Sequence, residues 1–293
     1  MTADEILDRA REGNFSDDRQ AVATAVRAFA EAGNARAALE LVARAWPIWL
    51  ASSDVEGGSS VAADALDVSD GSDVVPWRAR VLYADGLFAF RASDMERSLL
   101  RNEEALRIAR QSGDARGECD ALTGLARVAL REGRYEDVVE LAREGRKRAR
   151  EAGDPEAEES PLHLEAAGVR LQQDYGAARD LYLESLRRAE RSGTGFRATA
   201  ELHNLGWVEL HLGNIEAAEE RFRQRDAIAG ANAYSDAWTE LNWAAVAAAR
   251  RNWGEAQERF ARGKRDIEKL GVALDPDDKL ELDWLTGQFA RRA

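Results

Sequence analysis

Three histidines, His163, His203 and His211, are the side chains of this chain best suited to proton transfer or metal binding at neutral pH. His203, Trp207 and His211 follow one another at intervals of four residues, which places them on one face of a helix. A metal ion needs its ligand atoms within about 2 Å, whereas His203 and His211 would lie about 12 Å apart along the helix axis. We therefore predict no metal site here and expect these histidines to bind a ligand by hydrogen bonds or to face solvent.

The sequence contains none of the common catalytic motifs. It has no Ser/His/Asp arrangement, no glycine-rich phosphate loop and no HExxH segment. The acidic run at residues 156–159 is typical of a solvated helix end, and the single cysteine, Cys119, is expected to be a small core residue. We predict no catalytic residue and no cofactor, and an enzyme on a helical scaffold stays a minor alternative.

Composition favours an all-helical protein with a negative surface. The chain has 41 Lys+Arg against 54 Asp+Glu, a net charge of −13 and only 5 prolines. This charge repels phosphates, so nucleic acid and anionic lipid are not expected partners. The sequence lacks a run of about 20 apolar residues, and its first residues are acidic without an apolar core. We predict a cytoplasmic protein without a membrane span.

A recurrence of 40 residues organises the chain. Its clearest unit covers residues 199–225, with Leu205 and Gly206 on one face of a first helix and Ala218 and Phe222 on the inner face of a second. The same spacing separates three dipeptides in which glycine is expected to end one helix and the next residue to cap another: Gly113-Asp114, Gly153-Asp154 and Gly193-Thr194.

We predict an all-α, right-handed superhelical solenoid of stacked antiparallel helix hairpins. Residues 1–35 are expected to form N-terminal capping helices, 36–275 six repeats of about 40 residues, and 276–293 a C-terminal capping helix. Ser16 is a candidate N-cap for the second helix, and residues 67–76 read as a surface loop.

These residues resemble the tetratricopeptide repeat, in which a large residue precedes Leu-Gly or Leu-Ala in the first helix and a small residue pairs with an aromatic one in the second. Leu205, Gly206, Ala218 and Phe222 match this pattern. The long period and the Gly-Asp ends resemble the C-terminal sensor regions of bacterial signal-transduction regulators of the MalT and AfsR kind. No phosphate loop or DNA-binding helix-turn-helix is present, so the ATPase and promoter-binding roles of those regulators are not carried over.

The resemblance implies that set positions of the first helix in each repeat line an inner groove. The binding residues that it assigns are Arg80, Tyr83, Arg127, Arg131, His163, Arg170, His203, Asn204, Trp207, His211 and Trp238. Together with Arg91 and Asp120, which occupy further such positions, the groove would hold five arginines and one acidic residue. It would be basic and aromatic within an acidic protein.

Guanidinium groups pair with carboxylates, so the leading hypothesis is a non-catalytic scaffold or adaptor that engages an acidic or amphipathic peptide segment of a partner protein. An equally open reading of the arginines is that arginine is the ordinary solvated residue of this chain. The alternative function is a small-ligand sensor of a bacterial regulatory system, in which His203, Trp207, His211 and Trp238 enclose a metabolite.

Overall fold

The structure is a computed structural model that describes residues 1–13, 18–68, 75–230, 232–272 and 274–290. Within these ranges the chain forms sixteen helices and no strand. The helices are α1 (Ala3–Arg11), α2 (Arg19–Glu31), α3 (Ala35–Ala45), α4 (Pro47–Ala51), α5 (Val55–Leu66), α6 (Val75–Arg91), α7 (Met95–Ser112), α8 (Ala115–Arg131), α9 (Tyr135–Glu151), α10 (Glu159–Leu171), α11 (Tyr175–Ser192), α12 (Gly195–His211), α13 (Ile215–Ile228), α14 (Ala233–Ala249), α15 (Trp253–Leu270) and α16 (Pro276–Ala290).

Successive helices pack on one another, for example α5 on α6, α6 on α7, α11 on α12 and α14 on α15. The predicted all-α class of stacked helix hairpins is confirmed. Ser16 and residues 69–74 of the expected loop lie outside the described residues, and Asp18 caps α2 by accepting the Ala21 N–H at 3.0 Å. None of the described helices combines the length and the apolar character that crossing a membrane requires.

The glycine-containing dipeptides end helices as the sequence predicts. Gly113, Gly153 and Gly193 all have positive φ, the conformation that glycine adopts without steric cost. The Asp114 carboxylate accepts the Gly117 N–H at 3.0 Å and so caps α8. Thr194 does not cap α12 with its side chain, because its hydroxyl lies 2.7 Å from that of Ser192.

The chain consists of two compact units. Unit 1 comprises Met1–Ala129 and Leu141–Pro161, and unit 2 comprises Leu130–Glu140 and Leu162–Ala293. Each unit has its own buried apolar side chains, with Trp49 and Phe88 in unit 1 and Tyr182 and Phe222 in unit 2 among the largest. The division into six repeats between two caps stays a prediction.

Close helix approach in unit 2 depends on Gly206. A Cβ added at this position would lie 2.2 Å from the Phe222 ring, which is completely buried. The Phe222 ring of α13 therefore occupies the space that a side chain at Gly206 of α12 would need, as the repeat pattern predicts.

Helix α16 packs against α14 in unit 2. Its Trp284 ring lies 5.8 Å from the ring of Trp207 on α12 and meets it edge to face. Its Glu281 is completely buried and pairs with Arg170 on α10. A single helix thus contacts α10, α12 and α14, and these contacts shape the cavity of unit 2.

Two candidate ligand-binding cavities

A cavity of about 640 Å³ lies in unit 1 between α6, α8 and residues 152–160. We call it the arginine cavity and define it by Trp46, Arg80, Tyr83, Phe90, Arg116 and Arg127, which line it. Its volume falls in the range of small-molecule and peptide side-chain pockets.

Two arginines of this cavity rest on aromatic side chains. Arg127 donates to the Tyr83 hydroxyl at 3.1 Å, and the Tyr83 ring meets Trp46 edge to face with centroids 5.9 Å apart. The Arg80 guanidinium lies 5.3 Å from the centroid of the Trp77 ring and 3.9 Å from an Asp114 carboxylate oxygen. Arg127 makes no ion pair among the residues that the structure describes. Its charge is therefore available to an anionic ligand.

Two of the three acidic side chains that line the arginine cavity are engaged by a different arginine, and the third is Glu156. Arg116 pairs with Asp120 at 3.1 Å and also with Asp154. Burial raises the pKa of Asp120, although Arg116 opposes this effect. Burial alone would also raise the pKa of Asp154, but the Ala157 N–H and Arg116 outweigh it and lower that pKa. Arg116 thus serves mainly to neutralise these two carboxylates.

A second cavity, of about 550 Å³, lies in unit 2 between α10, α12, α14 and the start of α16. We call it the aspartate cavity and define it by Tyr234, Trp238, Asp275, Asp277 and Asp278, which line it. His163, His203 and Asn204 also reach this cavity. Its carboxylates distinguish it from the basic groove that the sequence predicts.

The three aspartates have different partners. Asp275 pairs with Arg131 at 2.9 Å, and Asp277 lies 3.9 Å from Arg170. Asp278 accepts a hydrogen bond from the Tyr234 hydroxyl. Burial, together with the neighbouring Asp277 carboxylate, raises the pKa of Asp278 to about 7. The cavity therefore holds a carboxyl group that ionises near neutral pH.

Next to the aspartate cavity, Glu281 on α16 contacts one residue of α10 and one of α12. One of its carboxylate oxygens pairs with Arg170, and the other lies 3.3 Å from His203 Nε2. Arg170 in turn donates to Asn204 Oδ1 at 2.8 Å. Because Arg170 and Glu281 are both completely buried, each neutralises a charge that would otherwise be costly inside the protein.

The hydrogen bonds around His203 fix its tautomer. Trp207 Nε1 donates to Asn242 Oδ1 at 2.8 Å, so the amide nitrogen of Asn242 faces His203 Nδ1, at 3.3 Å. His203 Nδ1 therefore accepts, and Nε2 carries the proton and faces a Glu281 carboxylate oxygen at 3.3 Å. Burial, with the charges of Arg225 and Arg170, lowers the pKa of His203 well below its usual value. The ring is neutral at physiological pH.

The predicted binding residues separate into three groups. Arg80, Tyr83 and Arg127 line the arginine cavity, whereas His163, His203, Asn204 and Trp238 line the aspartate cavity. Arg131, Arg170, Trp207 and His211 line neither of them. His163 is held by Glu201, whose carboxylate lies 2.9 Å from Nδ1 and also accepts the Ser185 hydroxyl at 2.7 Å.

The burial of Arg170 and Trp207 corrects their expected position in an open groove, because α16 covers them. His211 is stacked on Tyr175 with ring centroids 4.3 Å apart and also contacts Trp284. Burial, together with the charge of Arg170, lowers the pKa of His211 to about 4. Arg131 is engaged by Asp275. These four side chains do not line the aspartate cavity; they pack against residues beneath its walls.

Sequence reasoning missed the residues that α16 contributes. Asp275, Asp277 and Asp278 surround a proline at the start of a helix, a pattern typical of any helix N-terminus. Nothing local indicates that these carboxylates face a cavity, because the repeat pattern does not extend into α16.

One group of potential metal ligands occurs in the described part of the chain. The ligand atoms of His203, Asp278 and Glu281 lie within 4.8 Å of one another. Imidazole and carboxylate ligands suit Zn²⁺ or Mn²⁺. However, the two Glu281 oxygens already lie against the Arg170 guanidinium and His203 Nε2. A metal ion at this point would have to displace the Arg170 charge, so in its present form the cluster is an ion-paired one.

No family model and no curated protein matches this sequence. Solved structures do match the fold. BtubC (BKLC) from P. vanneervenii is 19% identical with a TM-score of 0.57, covering 79% of this chain and 95% of that one. The apo form of RapI is 12% identical with a TM-score of 0.59, and the match covers 79% of this chain and 84% of RapI. The Rap conjugation gene regulator of the plasmid pLS20 was solved in complex with the Phr* peptide. It is 12% identical with a TM-score of 0.53, and the match covers 83% of this chain and 76% of the regulator.

At these identities the matches concern the fold. The finer resemblance to MalT and AfsR-type sensor regions stays a prediction. The chain shares the helical-repeat fold of these structures, as its resemblance to the tetratricopeptide repeat implies.

Proposed function

We propose that this chain is a non-catalytic binding scaffold whose arginine cavity holds an acidic or amphipathic peptide segment of a partner protein. The observation that carries the proposal is the contact of Arg127 with Tyr83. A buried or half-buried arginine is ordinarily neutralised by a carboxylate, yet here the acceptor is the neutral hydroxyl of Tyr83. A ligand carboxylate at this position would complete the ion pair.

The charge of the cavity favours an anionic ligand. Arg116 is occupied by Asp120 and Asp154, and Arg80 lies 3.9 Å from Asp114. The other charged residues of the lining are Arg91, Arg127 and Glu156, so the cations exceed the carboxylate among them. Guanidinium groups bind carboxylates through two parallel hydrogen bonds, so acidic side chains suit them well.

The apolar part of the cavity favours an amphipathic ligand. Trp46, Tyr83 and Phe90 provide aromatic surface beside the arginines. Aromatic and arginine side chains dominate the binding energy of many interfaces. An acidic residue flanked by apolar ones would use both kinds of contact.

The likeness to the Rap conjugation regulator adds support, because that protein was solved in complex with a peptide. A shared fold at low identity makes a peptide a reasonable class of ligand and leaves its sequence open. A bacterial signalling role and a cytoplasmic location stay predictions.

The test uses fluorescence anisotropy with two labelled ten-residue peptides that share alternating phenylalanines, one with glutamate between them and one with lysine. We expect the glutamate peptide to bind at least tenfold more tightly, with an affinity that falls as salt increases. Arg127→Ala should weaken this binding about tenfold or more. Arg107→Ala is the matched control, because Arg107 is exposed on α7, outside the cavity, and donates a hydrogen bond to Gln111. Equal affinity for both peptides, or unchanged binding by Arg127→Ala, would contradict the proposal.

The small-ligand sensor stays the second candidate function. The observation that favours it is the aspartate cavity, whose volume of about 550 Å³ suits a metabolite and whose walls include His203 and Trp238. Calorimetry against metabolite pools, compared with binding of the glutamate peptide, would separate the two functions.

A further inference from the structure

The aspartate cavity places three carboxylates beside aromatic rings. We propose that it binds an organic cation, namely a guanidinium or alkylammonium group carried on an apolar stem, as in an arginine or lysine residue of a peptide or in a free amine. This inference concerns a different cavity and the opposite ligand charge from the proposed function, so either can fail without the other.

The charges of the cavity are incompletely balanced. Asp275 has Arg131 as its partner, while Asp277 shares Arg170 with Glu281. Arg225 also reaches the cavity, but it is paired with Asp226 at 2.8 Å.

Asp278 makes no ion pair with an arginine or lysine in the described part of the chain, and its hydrogen-bond donor is the neutral Tyr234 hydroxyl. A ligand cation beside Asp278 would supply the missing charge. The raised pKa of Asp278 agrees with an excess of negative charge at this point.

The apolar walls suit the stem of such a ligand. Phe196 is 86% exposed and Ile228 is 50% exposed, and both line the cavity. Large apolar side chains exposed beside a cavity are a feature of binding sites. Tyr234 and Trp238 provide aromatic surface, which attracts cations through the charge distribution of the rings.

Trp238 provides an independent indication of a ligand. Its side chain is only 2% exposed, and its indole N–H lies near the Tyr234 hydroxyl without forming a hydrogen bond of normal geometry. Buried N–H groups ordinarily have an acceptor. A carbonyl oxygen on the ligand would fill this role, and a cationic amino-acid residue carries both a carbonyl and a positive side chain.

The experiment compares N-acetylarginine amide with N-acetylcitrulline amide by isothermal titration calorimetry on the full chain. Citrulline has nearly the same shape as arginine without the charge, so the pair isolates the contribution of the cation. We expect the arginine compound to bind at least tenfold more tightly. Agmatine has the guanidinium but no carbonyl. Tighter binding of the arginine compound than of agmatine would identify a peptide as the source of the cation, and the reverse order would identify a free amine.

Variants locate the site. Asp278→Asn keeps an acceptor for Tyr234 and should weaken binding of the arginine compound at least tenfold. Asp283→Asn is the matched control, because it makes the same change on an exposed face of α16. Circular dichroism checks folding, and Asp277→Asn replaces Asp278→Asn if the latter loses helix.

The proposal is overturned if the citrulline compound binds as tightly as the arginine compound, or if folded Asp278→Asn and Asp277→Asn both bind normally. It is also overturned if Zn²⁺ or Mn²⁺ binds and depends on Asp278 while the arginine compound does not bind. That result would assign the cavity to a metal ion instead.

Discussion

Arg170 on α10 and Glu281 on α16 form an ion pair in which both side chains are completely buried. The pair joins the last helix of the chain to an inner helix of unit 2. His203 and Asn204 on α12 bind the same two residues, so the pair belongs to a larger polar network. Removing one member leaves the other charge inside the protein without a partner.

Glu281→Ala should destabilise unit 2 by about 3–5 kcal/mol, because it leaves the buried Arg170 charge uncompensated. Urea unfolding monitored by circular dichroism measures the change. Asp283→Ala, an exposed position on the same helix, should change the free energy of unfolding by less than about 0.5 kcal/mol. The double variant Arg170→Met with Glu281→Leu should recover much of the loss, since no unpaired charge remains. Equal effects of Glu281→Ala and Asp283→Ala would show that the ion pair does not hold α16.

Trp207→Phe should destabilise the fold although its position matches a ligand-binding position of the repeat family. The indole N–H donates to Asn242 at 2.8 Å, and the ring is completely buried. The substitution leaves the Asn242 oxygen without this donor, which costs about 1–3 kcal/mol. A melting curve identical to that of the unmodified chain would show that Trp207 has no such role.

Phe222→Ala should cost about 3–5 kcal/mol, because its ring fills the space left by Gly206. Gly206→Leu should be comparably harmful, since even a Cβ would overlap that ring. Phe196→Ala is the control, because Phe196 is 86% exposed, and it should change stability by less than about 0.5 kcal/mol. Thermal unfolding of the three variants decides whether the faces of α12 and α13 are assigned correctly.

Local sequence predicts the helices and their ends, because the interactions that end and cap a helix involve residues close together in the chain. Glycines at Gly113, Gly153 and Gly193 adopt the left-handed conformation that ends a helix, and Asp114 caps the helix that follows. The packing of Phe222 against Gly206 is also predictable, because the two residues belong to one hairpin of the repeat pattern. Such features need only periodicity and turn chemistry.

The electrostatic character of the unit 2 cavity could not be predicted in this way. Counting charges on the inner helices alone gives a basic groove. Helix α16 and the residue before it add four carboxylates to the same region: Asp275, Asp277, Asp278 and Glu281. Their contacts with Arg131, Arg170 and His203 join residues far apart in sequence, and nothing in the repeat pattern indicates where α16 packs. In the arginine cavity the segment 152–160 adds Asp154 and Glu156, but Asp154 pairs with Arg116 and Arg127 keeps a neutral partner.

The titration of Asp278 gives the last prediction. Burial and the Asp277 carboxylate raise its pKa to about 7, with Tyr234, Asp275 and Arg170 as the other groups that act on it, whereas an aspartate in the unfolded chain has a pKa of about 3.9. Between about pH 4 and pH 7 the folded state therefore keeps a proton that the unfolded state has lost. The contribution of this group to the free energy of unfolding falls as pH rises through that window.

Asp278→Asn removes the unfavourable contribution of the buried Asp278 carboxylate. The variant should be more stable than the unmodified chain at pH 8, by a few kcal/mol at most (~1.4 kcal/mol for each pH unit between the folded and unfolded pKa values). The gain should shrink as the pH falls and disappear near pH 4, where Asp278 is protonated in the folded state and partly protonated in the unfolded chain. Urea unfolding of both proteins at intervals from pH 4 to pH 8 measures the difference, and groups common to the two proteins cancel in it. A gain that is constant across this range would indicate better packing of asparagine, and a loss at pH 8 would show that the Asp278 carboxylate is stabilised where the structure places it.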